Sequence, residues 1–172
     1  MLSQGTAFIQ AQNPVDFAHW FLLIGATLMI SFSLVFPKSS FNSLATVLVI
    51  LGIVAHIGMC ALDFQFWSFG DDVVGRDKLI NHLRGIPSIW LPFMDIGPAL
   101  LYIGLSIHAW KFIKTHTISA ILTIVGTIII GLGHYISDNR IIVVLGYVLL
   151  ALGLVLLIYR KDSGIDAGLN KL

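Results

Sequence analysis

Residues 43–67 read SLATVLVILGIVAHIGMCALDFQFW. A helix rising ~1.5 Å per residue crosses ~30 Å of hydrocarbon in ~20 residues, so this segment is long enough to span a bilayer. Its apolar residues run on without alternation of period two, which excludes a strand of a transmembrane barrel. Asn42 and Ser43 are suited to cap its start, and Trp67 closes it with the indole that favours a membrane interface.

The same character extends through the chain. Of 172 residues, 57% are hydrophobic and 11% charged, and the mean hydropathy is +0.92. A water-soluble domain needs far more polar surface. All nine acidic residues are Asp, so the Glu/Lys pairs of solvated helix faces are missing. The expected fold is an all-α polytopic membrane bundle with spans at 16–36, 43–67, 87–112, 117–136 and 140–159. Together they make a single transmembrane domain, 1–162, followed by a disordered tail, 163–172. The segment before His19 has no Lys or Arg, unlike the n-region of a signal peptide, so the first helix is expected to persist in the mature protein.

Turn residues set the connections. Pro37 ends the first span, and Ser137, Asp138 and Asn139 make a tight fourth connection. Short connections make consecutive helices antiparallel neighbours. The outer loop 68–85 carries seven charged or imidazole side chains, and Leu79, Ile80 and Leu83 suit one short amphipathic turn on the membrane surface. Lys38, Lys111, Lys114, Arg160, Lys161 and Lys171 fall on one side, and Arg76, Lys78, Arg84 and Arg140 on the other. The positive-inside rule then puts the N-terminus outside and the C-terminus in the cytoplasm. Gly97 and Gly104, Gly126 and Gly133, and Gly146 and Gly153 are spaced seven apart, which puts small residues on one face for close helix packing.

Ionisable side chains inside a span cost ~3 kcal/mol on insertion scales, so each calls for a reason. His56, Cys60 and Asp63 stand at i, i+4 and i+7, on one stripe of the second span. The third span offers Asp95, Pro98, Tyr102 and Ser106, and Pro98 should kink it. The ligand or proton site expected from these positions is His56, Asp63, Asp95 and Tyr102. The metal candidates are His56, Cys60, Asp63, His19 and His134, with Asp138 one turn beyond His134. Each helix-end His or Asp also has an ordinary role in binding headgroups, water or backbone, and Asp95 could simply complement a helix dipole. His108 and His116 read as interfacial, and Asp71, Asp72 and Asp77 as a solvated face despite their divalent-cation pattern.

Several functions are excluded or disfavoured. A net charge of +1 without a basic block gives nucleic acid no footprint. One cysteine, Cys60, cannot close a disulfide within the chain. No CxxC, HExxH, GxSxG, P-loop or GxGxxG motif occurs. Three readings remain. The leading one is an outward-facing His/Asp pocket that binds or transports a proton, a transition-metal ion or a small ligand, with b-type haem on two histidines as a variant. The second is a structural or assembly subunit. The third, a metal-dependent enzyme acting on lipid, has least support because only His56 is securely deep. Membrane lipid and either a second copy of the chain or another membrane subunit are the expected partners.

Overall fold

The computed structural model describes residues 16–35, 40–133 and 140–169. Among these residues there is no strand. The helices are α1 (Phe17–Val35), α2 (Ser40–Ser68), α3 (Val73–Arg84), α4 (Pro87–Trp90), α5 (Gly97–Trp110), α6 (Thr117–Leu132) and α7 (Arg140–Leu169), with a π-helical segment, Leu91–Asp95, between α4 and α5. Three stretches are long and apolar enough to cross a bilayer: Asn42–Ser68, Pro87–Trp110 and Ile141–Ile158. Phe17–Ser31 and Thr117–Leu132 are apolar but shorter.

The outward faces are apolar. Phe17, Phe21, Ile24 and Leu28 on α1, and Ile141, Val144, Val148, Leu152 and Val155 on α7, are all exposed. Buried positions, by contrast, include Asn42, His56, His108, Ser119, Thr123 and Thr127. Most other buried positions are apolar, among them Val49, Ile53, Leu105 and Ile130, so both the interior and the outward faces are rich in apolar side chains, and apolar surface this extensive needs an apolar solvent or a partner.

The chain packs as two units. The first comprises described residues of Met1–Val35 with Val49–Leu101, and the second those of Phe36–Leu48 with Tyr102–Leu172. In the first, α2 presents Val49, Gly52, Ile53, His56 and Cys60 as one buried stripe with helical spacing. Gly52 lies directly against the backbone of Leu101, and Gly58 against the ring of Phe93. Gly70, at φ 57°, turns the chain out of α2 in a conformation that suits glycine. Asp72 then caps α3 by accepting from the Gly75 N–H at 2.9 Å. The sequence suggests one amphipathic turn here, but this cap and the three turns behind it make a helix of 12 residues.

The third expected span is interrupted. Pro92 and Pro98 have no amide hydrogen, so two rungs of the i→i−4 ladder are missing six residues apart. Between them the ladder shifts to i→i−5, with the Ile96 N–H donating to the Leu91 carbonyl at 2.8 Å. The Pro92 carbonyl presses on Gly97 where a Cβ would stand, so no larger residue fits there. Pro98 therefore sits in the first turn of a new helix, where its ring is tolerated, rather than kinking the middle of an old one.

In the second unit α6 and α7 form a tight antiparallel pair. A methyl group on Gly126 would come within 2.5 Å of the Leu150 nitrogen, and one on Gly146 within 2.9 Å of the Ile130 nitrogen. One on Gly153 would meet the Thr123 nitrogen at 2.6 Å, and one on Gly133 the side chain of Val143 at 2.6 Å. The glycine faces expected to pack against neighbouring helices do so here, with backbones in near contact. Ala109, Ala120 and Leu157 complete a core at one end, joined by Phe112, Ile113 and Ile124. α7 is helical from Arg140 to Leu169. No proline falls between Arg140 and Leu172, and each residue added to an established helix costs little.

Gly126→Ala should lower stability by about 1–3 kcal/mol through overpacking. Nothing lies within 4 Å of a Cβ on Gly131, so Gly131→Ala should leave stability unchanged or raise it by up to ~1 kcal/mol through helix propensity. Denaturant titration of the two variants in detergent, followed by circular dichroism, checks the contrast.

Candidate functional site

Asp16 precedes α1 and accepts from the His19 backbone N–H on Oδ1 at 3.2 Å, as a cap does. Its other oxygen, Oδ2, is bonded to the same residue's ring at Nδ1. One carboxylate thus starts the helix and fixes the imidazole three residues on. The far ring nitrogen, Nε2, pairs with Oδ2 of Asp63 on α2 at 3.1 Å. Side-chain exposure is 6% for Asp16, 31% for His19 and 21% for Asp63, so the cluster opens to its surroundings through the ring and Asp63.

An ionised carboxylate only accepts hydrogen bonds. A histidine that donates from both nitrogens is an imidazolium, carrying one proton more than the neutral ring. With both carboxylates ionised the cluster has a formal charge of −1, which favours retaining that proton or attracting a cation. Phe64 walls one side, its ring 6.1 Å from the His19 ring at 73° and 5.4 Å from Trp20. Such an apolar wall strengthens the charge interactions beside it.

His56 is 2% exposed and lies seven residues from Asp63, or ~10 Å along α2 at 1.5 Å per residue. Its Nδ1 is 2.9 Å from the Gly52 carbonyl. A carbonyl only accepts, so Nδ1 carries the hydrogen and the bond fixes the ring's orientation. Cys60, between His56 and Asp63 on the same stripe, is fully buried. Asp95 accepts from the indole Nε1 of Trp90 at 3.1 Å. Tyr102 pairs its hydroxyl with that of Tyr147 at 3.0 Å.

Of the candidates, His19 and Asp63 meet, and Asp16 joins them. His134 and Asp138 lie outside the described residues. Among the described residues no three of His, Cys, Asp and Glu gather where they could hold a metal ion. His19 occupies the space between the two carboxylates, and His56 is two helical turns from Asp63. In the segment 68–85, Asp72 is a helix cap and Asp77 lies 3.6 Å from Arg76, which accounts for both without a cation.

Sequence reasoning missed two residues. Asp16 was legible as a helix start, and its i, i+3 spacing from His19 was the available signal for a second role. His108, expected at the interface, is fully buried, with Nε2 3.3 Å from the Thr46 hydroxyl. Thr46 donates its own hydrogen to the Asn42 carbonyl at 2.9 Å, so the imidazole must be the donor toward Thr46. Ser106 and Thr127 form a similar link, 2.7 Å long, between α5 and α6.

No protein-family model, curated protein or solved structure matches this chain.

The interaction between His19 and Asp63 should be measurable by a double-mutant cycle of His19→Gln and Asp63→Asn. The expected coupling is about 1 kcal/mol, since both side chains are partly exposed and screened. Chemical unfolding of the four proteins in one detergent gives the value, and additivity within error would mean that the pair contributes no stability.

Proposed function

We propose that this is a multi-pass membrane protein with five spans, N-terminus outside and C-terminus in the cytoplasm, whose outer His/Asp site takes up and hands on a proton. The observation that carries the reading is His19 held between Asp16 and Asp63. The topology rests on the three long apolar stretches, on Phe17–Ser31 and Thr117–Leu132 as shorter spans, and on the Lys/Arg imbalance of six to four.

In this reading the imidazolium passes its Nε2 proton to Asp63 across the 3.1 Å contact, leaving a neutral ring that keeps Nδ1–H on Asp16. Asp63 then carries the proton on the α2 stripe that leads past Cys60 to His56. His56 is the deeper station, and a buried histidine in a bundle interior is suited to relaying protons. A metal ion at the same residues is the variant that finds no set of three ligands among the described residues.

A structural or assembly role is the second reading. It is favoured by the polar pairs Tyr102–Tyr147, Ser106–Thr127 and Thr46–His108, each of which joins one helix to another. It is disfavoured as far as it needs free glycine faces, because Gly126, Gly146 and Gly153 are already used within the chain.

Proteoliposomes loaded with a pH-sensitive dye and driven by a potassium diffusion potential separate the two. The proton reading expects flux well above that of protein-free vesicles, abolished by Asp63→Asn and by His56→Ala with the helical content retained. Flux equal to that of empty vesicles would remove it, and loss of stability alone in His56→Ala is what the structural role expects.

A further inference from the structure

A second site lies away from the histidine cluster. Arg84 ends α3, and its guanidinium carbon sits 5.0 Å from the centre of the Trp90 ring. The same indole donates Nε1–H to Asp95. Arg84, Trp90 and Asp95, with Pro87 and Leu91, line a cavity of about 480 Å³. Leu91 also borders a second cavity, about 490 Å³, whose walls are apolar: Leu51, Val54, Pro92, Phe93, Ile96 and Leu100 among them. Both volumes fall within the ~300–1,000 Å³ usual for ligand pockets. The π-helical segment forms the shared wall, and such segments recur at functional sites.

We infer that this paired cavity is a binding site for one zwitterionic phospholipid with an ethanolamine headgroup, taken from the surrounding bilayer. The charge pattern selects the occupant. The polar cavity offers one cation and one carboxylate on a single indole, which matches a headgroup that bears both a phosphate and an ammonium. The Arg84 guanidinium takes the phosphate in charge-assisted hydrogen bonds. Asp95 takes the ammonium, and a primary ammonium has the N–H donors that a quaternary one lacks. An anionic headgroup without an amine would leave Asp95 facing like charge. The acyl chain continues past Leu91 into the apolar cavity, against Phe93 and Leu100. Trp90, at the junction, has the amphipathic character of a residue at headgroup level. The site rests on the chain being embedded in a bilayer but not on any proton activity.

The test uses the full chain with Trp20→Phe, Trp67→Phe and Trp110→Phe, so that Trp90 is the one fluorophore. It is reconstituted into phosphatidylcholine vesicles containing dibrominated phosphatidylethanolamine or dibrominated phosphatidylglycerol at equal mole fraction, and bromine quenching of Trp90 gives relative affinities. The ethanolamine lipid should bind about fivefold more tightly, or ~1 kcal/mol at 1.4 kcal/mol per tenfold. Arg84→Gln should weaken the binding of both lipids, Asp95→Asn should bring the ratio close to one, and Asp95→Glu should retain it. Equal quenching by the two lipids, a preference for the glycerol lipid, or a preference unchanged in Asp95→Asn would overturn the proposal. If a variant does not fold, the comparison of lipids in the unsubstituted site still decides. Release of the protein from vesicles by alkaline carbonate would instead refute the membrane embedding itself.

Discussion

The closeness of α6 and α7 is set by what a Cβ would meet. At Gly126, Gly146 and Gly153 the neighbouring backbone already occupies that space, and Gly52 and Gly97 in the first unit face the same limit. This matters because the outward faces of α1, α2 and α7 are apolar, and in hydrocarbon the burial of one leucine against another gains little over leucine against lipid. Close backbone approach then supplies dispersion contacts that a lipid tail cannot match. The polar pairs, Ser106 with Thr127 and Tyr102 with Tyr147, add direction to contacts that glycine makes possible. His108 and Thr46 fit this pattern as well, since a fully buried imidazole needs an acceptor within reach.

The fold was largely readable where local rules act alone. Helical segments, their approximate ends, the glycine faces of α6 and α7 and the buried stripe on α2 all follow from composition and spacing within one segment. The π-helical segment was not readable to the same degree. Pro98 announces a disturbance, but whether the chain kinks, breaks or changes its hydrogen-bond period depends on Pro92 and on the room Gly97 leaves for a carbonyl.

The candidate site divides along the same line. His19, Asp63 and His56 were visible as ionisable groups in apolar runs. Spacing cannot give the azimuth at which one helix faces another, so the Tyr102 partner had to come from tertiary structure, whereas the Asp95 partner, Trp90, is only five residues away. Thr46 and His108 are 62 positions apart in sequence, and Tyr102 and Tyr147 are 45 apart. Periodicity within a helix holds no information about such pairs.

In the π-helical segment Leu91–Asp95 the hydrogen-bonded turn spans one residue more than in an α-helix. One extra residue advances the angular phase of everything beyond it by ~100°, the rotation per residue of a helix with 3.6 residues per turn. The α4 turn carrying Trp90 and the start of α5 carrying Leu101 therefore belong to different phases of what would otherwise be one rod. The segment works as a fixed rotary offset: Trp90 can meet Arg84 while Leu101 stays seated on Gly52. Two orientations that a straight helix would tie together are thereby set independently.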